Sequence, residues 1–144
     1  MPTETVCLDW VQDQEFLLKD RSGFPILMTQ PMGVNGADLL PLSVIGCAAW
    51  DLAAILKKQR QQVTALQVTA ESEREDTPPW RFLRIRIIYR ITGQNLKDGL
   101  IKKGIQLTEQ KYCSTFATLK NAVEISSSYV ILEDDCERES VENG

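Results

Sequence analysis

The chain has 144 residues, a formal net charge of −4 and no histidine. That length suits one domain of ordinary size with a real core, and the acidic balance does not fit a general nucleic-acid binder. Without histidine, Ser-His-Asp and Cys-His nucleophile pairs are excluded, so any such chemistry falls to cysteine, carboxylate, lysine, tyrosine or groups tuned by arginine.

The first residues, Met-Pro-Thr-Glu-Thr-Val, carry neither a basic segment nor a long apolar run. No signal peptide is expected, which places the chain in the cytoplasm, where cysteines stay reduced unless they are catalytic. Val6, Leu8 and Trp10 alternate with Cys7, Asp9 and Val11, the period of a strand. Glu15 to Lys19 and Pro25 to Thr29 are two further strands, and Asp20-Arg21-Ser22-Gly23 between them has turn composition. Cys7 lies on a strand, where it can face either way, and reads as a small buried or half-buried hydrophobe. Residues 30–36 form a breaker-rich loop.

Residues 38–56 are apolar almost all round and stop at Lys57-Lys58-Gln59-Arg60. A helix apolar on every side is a buried one, so this stretch is read as a central helix enclosed by the rest of the domain. It is long enough to approach a membrane span. Pro41, Ser43, Gly46 and above all Asp51 argue against that, because a charge at mid-bilayer depth is costly. The helix is expected to start between residues 36 and 39, with either Asp38 or Asn35 as its cap. Pro41 then falls in the first turn, where a missing amide is harmless, and the carboxylate of Asp38 lies at the positive end. Cys47 sits in the middle of this helix.

Beyond it, residues 62–75 alternate as a strand, Asp76-Thr77-Pro78-Pro79 turns, and residues 80–92 form the clearest strand in the chain. Leu83, Ile85, Ile87, Tyr89 and Ile91 face one way, and Phe82, Arg84, Arg86, Ile88 and Arg90 the other. In an antiparallel hairpin the arginines meet Glu71 and Glu73. An anion-binding strip is the competing reading of that row. Asn95 is a cap for a second helix from 96 to about 109, which Gly99 and Gly104 weaken. Residues 109–112 break it, Cys113 opens a short helix through Leu119, and residues 122–132 are a last strand. The acidic tail, residues 133–144, is expected to be disordered, with Cys136 an exposed thiol. Residues 1–132 are thus one domain of the α+β class, with antiparallel sheets wrapped on buried helices.

None of the cysteines forms a CxxC pair, so no zinc site, other metal or cofactor is expected. A cysteine attacks only as thiolate, which needs positive potential. Cys113 opens a helix near Lys111 and has such potential. Cys47 lies among apolar neighbours that raise a thiol pKa, and would need a cation brought by another segment. From the residues alone, a structural thiol and a reactive one both stay open.

The run Gly36-Ala-Asp-Leu-Leu-Pro-Leu-Ser-Val-Ile-Gly-Cys47-Ala-Ala-Trp-Asp-Leu-Ala-Ala-Ile-Leu-Lys-Lys58 resembles the first cysteine motif of the OsmC/Ohr family. Leu107-Thr-Glu-Gln-Lys-Tyr-Cys113-Ser-Thr-Phe-Ala-Thr-Leu-Lys120 resembles its second, with the Glu-Lys-Tyr-Cys core. The likeness extends over roughly residues 5–132, through Tyr89-Arg-Ile-Thr-Gly93 and Val123-Glu-Ile125, and is nearest to the OsmC-like subgroup. It implies an intertwined homodimer, with sheets around two buried helices and sites at the interface. It further implies a thiol peroxidase acting on organic hydroperoxides. In that reading Cys47 is oxidised to a sulfenic acid, Cys113 resolves it as a disulfide, and a dithiol partner reduces the disulfide. The family's activating arginine and glutamate fall on Arg21 and Asp38 here. Arg21 is equally a turn residue, and Asp38 is one carbon shorter than glutamate and equally a cap. The alternative is a non-enzymatic dimer of the same fold that binds a small apolar ligand or senses oxidants.

Overall fold

The computed structural model describes residues 1–29 and 33–134. Two compact units divide the chain, Met1–Leu40 and Pro41–Gly144. In the first, β1 (Cys7–Gln12), β2 (Glu15–Lys19) and β3 (Pro25–Met28) form an antiparallel meander in sequence order. The β1–β2 turn is tight, with Asp13 at φ 44°. Trp10 Nε1 donates to the Asp13 carbonyl, 2.9 Å away, and holds it. The β2–β3 turn is built by Asp20, whose carboxylate accepts from the amides of Ser22 and Phe24. Gly23 supplies the left-handed residue at φ 86°.

Of the two caps the sequence allows, the structure uses Asn35. Its side-chain oxygen accepts from the Ala37 amide at 2.9 Å and starts a 3-10 turn, Gly36–Asp38. Asp38 closes that turn, and α1 (Leu39–Lys58) follows directly with Pro41 in its first turn. Lys57 and Lys58 end α1, where cations suit the negative pole of the helix.

The second unit is organised around β5. The strands β4 (Gln62–Arg74), β5 (Phe82–Gln94) and β6 (Glu124–Glu133) lie side by side in that order. β4 and β5 are antiparallel, and the register sets Glu71 opposite Arg86 and Glu73 opposite Arg84. Arg84 bonds both Glu73 and Glu124 and Arg86 pairs with Glu71, so these two arginines of the row are engaged in solvated cross-strand pairing. β6, however, runs parallel to β5, against the all-antiparallel expectation. The chain leaves β5 at one end and returns through α2 (Asp98–Leu107), a π turn (Thr108–Tyr112) and α3 (Ser114–Leu119). Such a helical crossover brings the next strand back in the same direction. The second helix also starts later than expected. Asn95 takes φ 52° as the chain turns out of β5, and Lys97 is the capping residue.

The core of this unit joins Val44, Ala48, Leu52 and Leu56 of α1 to Ile85, Ile87, Tyr89 and Ile91 of β5 and to Ile101 and Ile105 of α2. The α1 residues recur every four positions, one stripe of a helix. Within the chain, then, α1 is buried along a stripe rather than on every side, and Trp50 on another face is 81% exposed. By length and composition Gly36–Lys58 could cross a membrane. One stripe of it is sealed into this core, and Asp51 lies partway along the helix, off that stripe.

Two glycines mark close approaches. A Cβ on Gly104 would sit 3.3 Å from Leu52 Cδ1, which shows how tightly α2 lies on α1. A Cβ on Gly93 would come within 2.1 Å of the Gln62 carbonyl oxygen, a backbone atom that cannot swing aside. Gly93→Ala is therefore expected to destabilise the fold by about 1–3 kcal/mol or more, read as a lower urea midpoint. An unchanged midpoint would show that the β4–β5 end relaxes freely.

A paired-thiol candidate active site

Cys47 projects from α1, and Asp51 follows it one turn later on the same face. The Cys47 sulfur lies 4.0 Å from Asp51 Oδ2 and 3.9 Å from Ser114 Oγ. Cys113 is the residue that caps α3, with φ −75° and ψ 106°. Its amide donates back to the Thr108 carbonyl at 2.8 Å and so closes the π turn. Such turns are rare and cluster at functional sites. The Cys113 side chain is 2% exposed and lies 3.3 Å from Thr115 Oγ1 and 4.0 Å from the Val44 carbonyl. The Ser43 carbonyl, 3.5 Å from Thr115 Oγ1, is the other acceptor within reach of that single hydroxyl proton. As a result the Cys47 and Cys113 sulfurs and an Asp51 oxygen lie within 4.8 Å of one another. All three belong to the second unit.

The π turn is anchored on the sheet. Tyr89 Oη donates to one oxygen of Glu109 at 3.0 Å and Ser127 Oγ to the other at 3.1 Å. Burial pushes the Glu109 carboxyl up, against the pull of these two donors. Burial, then the neighbouring Glu109, push the Tyr89 phenol up as well, so it stays a donor.

The two thiols differ in acidity. Burial alone would raise Cys47. The hydrogen bond with Cys113, the backbone amides of Thr115 and Ser114 and the Ser114 side chain outweigh it and leave the thiol below its ordinary value. Cys113 is pushed up by burial, and its hydrogen bonds from Thr115 and the Phe116 backbone do not compensate. A Cys47 thiolate can thus form while Cys113 still carries a proton to share with it. Ser114→Ala removes a donor to the anion, so the midpoint of Cys47 alkylation against pH is expected to move up. An unmoved midpoint would mean that Ser114 contributes nothing.

The cation expected to activate Cys47 is not among the causes of its lowered pKa, which are hydrogen bonds. Arg21 belongs to the first unit and pairs there with Glu4. Asp38 belongs to the same unit, in the capped 3-10 turn. Cys7 is exposed on β1, not buried or half-buried as expected, because every residue of that strand is exposed, and Cys136 lies outside the described residues. Sequence reasoning missed Asp51 as a neighbour of the thiol, although the Cys47-x-x-x-Asp51 spacing is a same-face signal. It also missed Ser114 and Thr115, whose roles depend on how the π turn presents them.

Beside Asp51 a cavity of about 440 Å³ opens, lined by Ile55, Leu107 and Tyr112 with Lys58 and Lys103 also in its wall. Its character is mainly apolar, and it shares Asp51 with the thiol cluster.

The family model described as OsmC-like protein matches residues 29–128. Protein YhfA of Escherichia coli K12 is 34% identical over 126 residues, covering 85% of this chain and 94% of YhfA. A hypothetical protein from Aquifex aeolicus VF5 has a crystal structure that superposes with a TM-score of 0.83. It is 26% identical and is matched over 93% of this chain and 99% of that one. OhrB of Bacillus subtilis, an organic hydroperoxide resistance protein, shares the fold with a TM-score of 0.59 at 12% identity, over 89% and 98% of the two chains. The paired cysteine motifs, the fold that carries them and these matches agree: the chain belongs to the OsmC-like protein family.

Proposed function

We propose that the chain is a thiol-dependent peroxidase that reduces organic hydroperoxides and serves oxidative-stress defence. Membership of the OsmC-like family supports a redox role in peroxide stress. The observation that carries the finer reading is the approach of the Cys47 and Cys113 sulfurs to within 4.8 Å, with hydrogen-bond donors gathered on Cys47. The Cys47 thiolate attacks the O–O bond, giving a sulfenic acid and an alkoxide that takes up a proton to leave as alcohol. The Cys113 sulfur then displaces the hydroxyl of that sulfenic acid. Its own proton goes to the departing oxygen, so water leaves and a disulfide remains. An external dithiol reduces the disulfide by exchange and restores both thiols. The cavity next to Asp51 is where the apolar part of a hydroperoxide would lie.

In this reading residues 1–132 work as one OsmC-like domain in a cytoplasmic homodimer, and the exposed Trp10, Phe24 and Trp50 supply apolar surface for a second copy. Arg21 and Asp38 are carried as the activating pair. Arg21→Ala and Asp38→Asn slow peroxide consumption if they act on the thiol, and leave it unchanged if they serve only the turn and the 3-10 segment. The overall test is direct. Reduced protein with cumene hydroperoxide and dithiothreitol is expected to consume peroxide catalytically. A rate no higher than that of dithiothreitol alone would reject the peroxidase. Extraction of a tightly held small apolar molecule from the same inactive protein would favour the ligand-binding alternative.

A further inference from the structure

We infer that Cys47, Asp51 and Cys113 together form a binding site for a thiophilic divalent cation, Zn²⁺ being the ion the donor set fits. The lack of any CxxC spacing hides this in the sequence, and folding assembles what the spacing does not. Two sulfurs and one carboxylate oxygen lie within 4.8 Å of one another, with 4.0 Å between Cys47 Sγ and Asp51 Oδ2. A tetrahedral zinc with Zn–S of about 2.3 Å and Zn–O of about 2.0 Å needs S···S near 3.8 Å and S···O near 3.5 Å, to roughly a few tenths. Cys47 and Asp51, on adjacent turns of α1, must close by about 0.5 Å, and no pair by more than roughly 1.3 Å, which side-chain rotation can supply.

The chemistry of the set is selective. Two thiolates favour Zn²⁺ over Mg²⁺ or Ca²⁺, which prefer oxygen donors. Supporting groups are in place around them. Thr115 Oγ1 lies 3.3 Å from the Cys113 sulfur and Ser114 Oγ lies 3.9 Å from the Cys47 sulfur. Such outer donors orient ligands and steady their charge. Cys47 is only half-buried, which leaves an entry route and a fourth position for water. On binding, both thiols lose their protons to solvent and both sulfurs become metal-bound. Zn²⁺ would therefore hold the pair reduced and unreactive until a chelator or a competing thiol removes it.

The test uses the full reduced protein and needs no peroxide, so its outcome is independent of whether the chain is a peroxidase. Co²⁺ is titrated as a spectroscopic stand-in, and Zn²⁺ is then added to displace it. The expected result is one equivalent of tetrahedral Co²⁺ with a thiolate-to-cobalt charge-transfer band. That band is lost in Cys47→Ser and in Cys113→Ala, and in Asp51→Asn the affinity falls by about tenfold or more. In case the Cys113 variant misfolds, peptide-resolved alkylation of the wild-type protein gives a second reading. One equivalent of Zn²⁺ should slow the labelling of Cys47 and Cys113 and leave exposed Cys7 unaffected. A spectrum without the charge-transfer band, binding that survives Cys47→Ser, full affinity in Asp51→Asn, or equal protection of Cys7 would each overturn the site.

Discussion

Cys47→Ser is expected to lower the rate of hydroperoxide consumption by at least about a thousandfold. The electron pair that opens the O–O bond comes from a thiolate, and a serine hydroxyl in its place stays protonated at neutral pH. The neighbours that make Cys47 acidic are Cys113, the Thr115 and Ser114 amides and the Ser114 hydroxyl, and the one nucleophile among them, the Cys113 thiol, is buried with its pKa pushed up. Cys113→Ser should behave differently. One equivalent of peroxide is still consumed, turnover then stalls, and dimedone traps a sulfenic acid on Cys47. Peroxide disappearance is followed with dithiothreitol for Cys47→Ser and without any added thiol for Cys113→Ser, because dithiothreitol reduces a sulfenic acid directly. A Cys47→Ser protein that keeps the wild-type rate removes Cys47 from the reaction.

Leu52→Ala should cost about 3–5 kcal/mol of stability. Leu52 is fully buried in the stripe that α1 turns to the core. Its Cδ1 lies over Gly104, where a Cβ would be only 3.3 Å away, so α1 and α2 meet there with no side chain on the α2 side to fill a void. The deletion thus adds a cavity to the lost burial. Urea unfolding measures it, with Lys102→Ala on the exposed side of α2 as a control expected to move stability by less than about 0.5 kcal/mol. Because α1 also carries Cys47 and Asp51, the variant is expected to show altered thiol reactivity alongside its lower midpoint. A cost below about 1 kcal/mol would mean that the helix crossing collapses around the gap.

How much of this can be read before folding differs from element to element. The alternation at Ile85, Ile87, Tyr89 and Ile91 makes β5 and its buried face plain, and the glutamates of β4 land opposite the arginines as their spacing requires. The direction of β6 is not legible, because nothing within residues 124–133 says whether the partner strand runs with it or against it. The crossover through α2 and α3 decides that. Asn95 has the composition of a helix cap, but its tolerance of the left-handed region serves the exit from β5 instead. The all-round apolar character of α1 suggests complete enclosure, while the chain itself covers one stripe. At the site, the two cysteines are visible through their motifs. Asp51 is not, since in the sequence its weight goes to the argument against a membrane span. The donors to Cys47 are hidden for a further reason. They depend on the π turn at Thr108–Tyr112, a register change that helical periodicity does not announce.

The most direct measurement is to treat the reduced protein with one equivalent of cumene hydroperoxide and map its cysteines by mass spectrometry over the time in which the peroxide disappears. A Cys47–Cys113 disulfide that appears at the rate of peroxide loss, with Cys7 still alkylatable, is the predicted result. Loss of peroxide with Cys47 carried on to sulfinic acid while Cys113 stays a free thiol would contradict it.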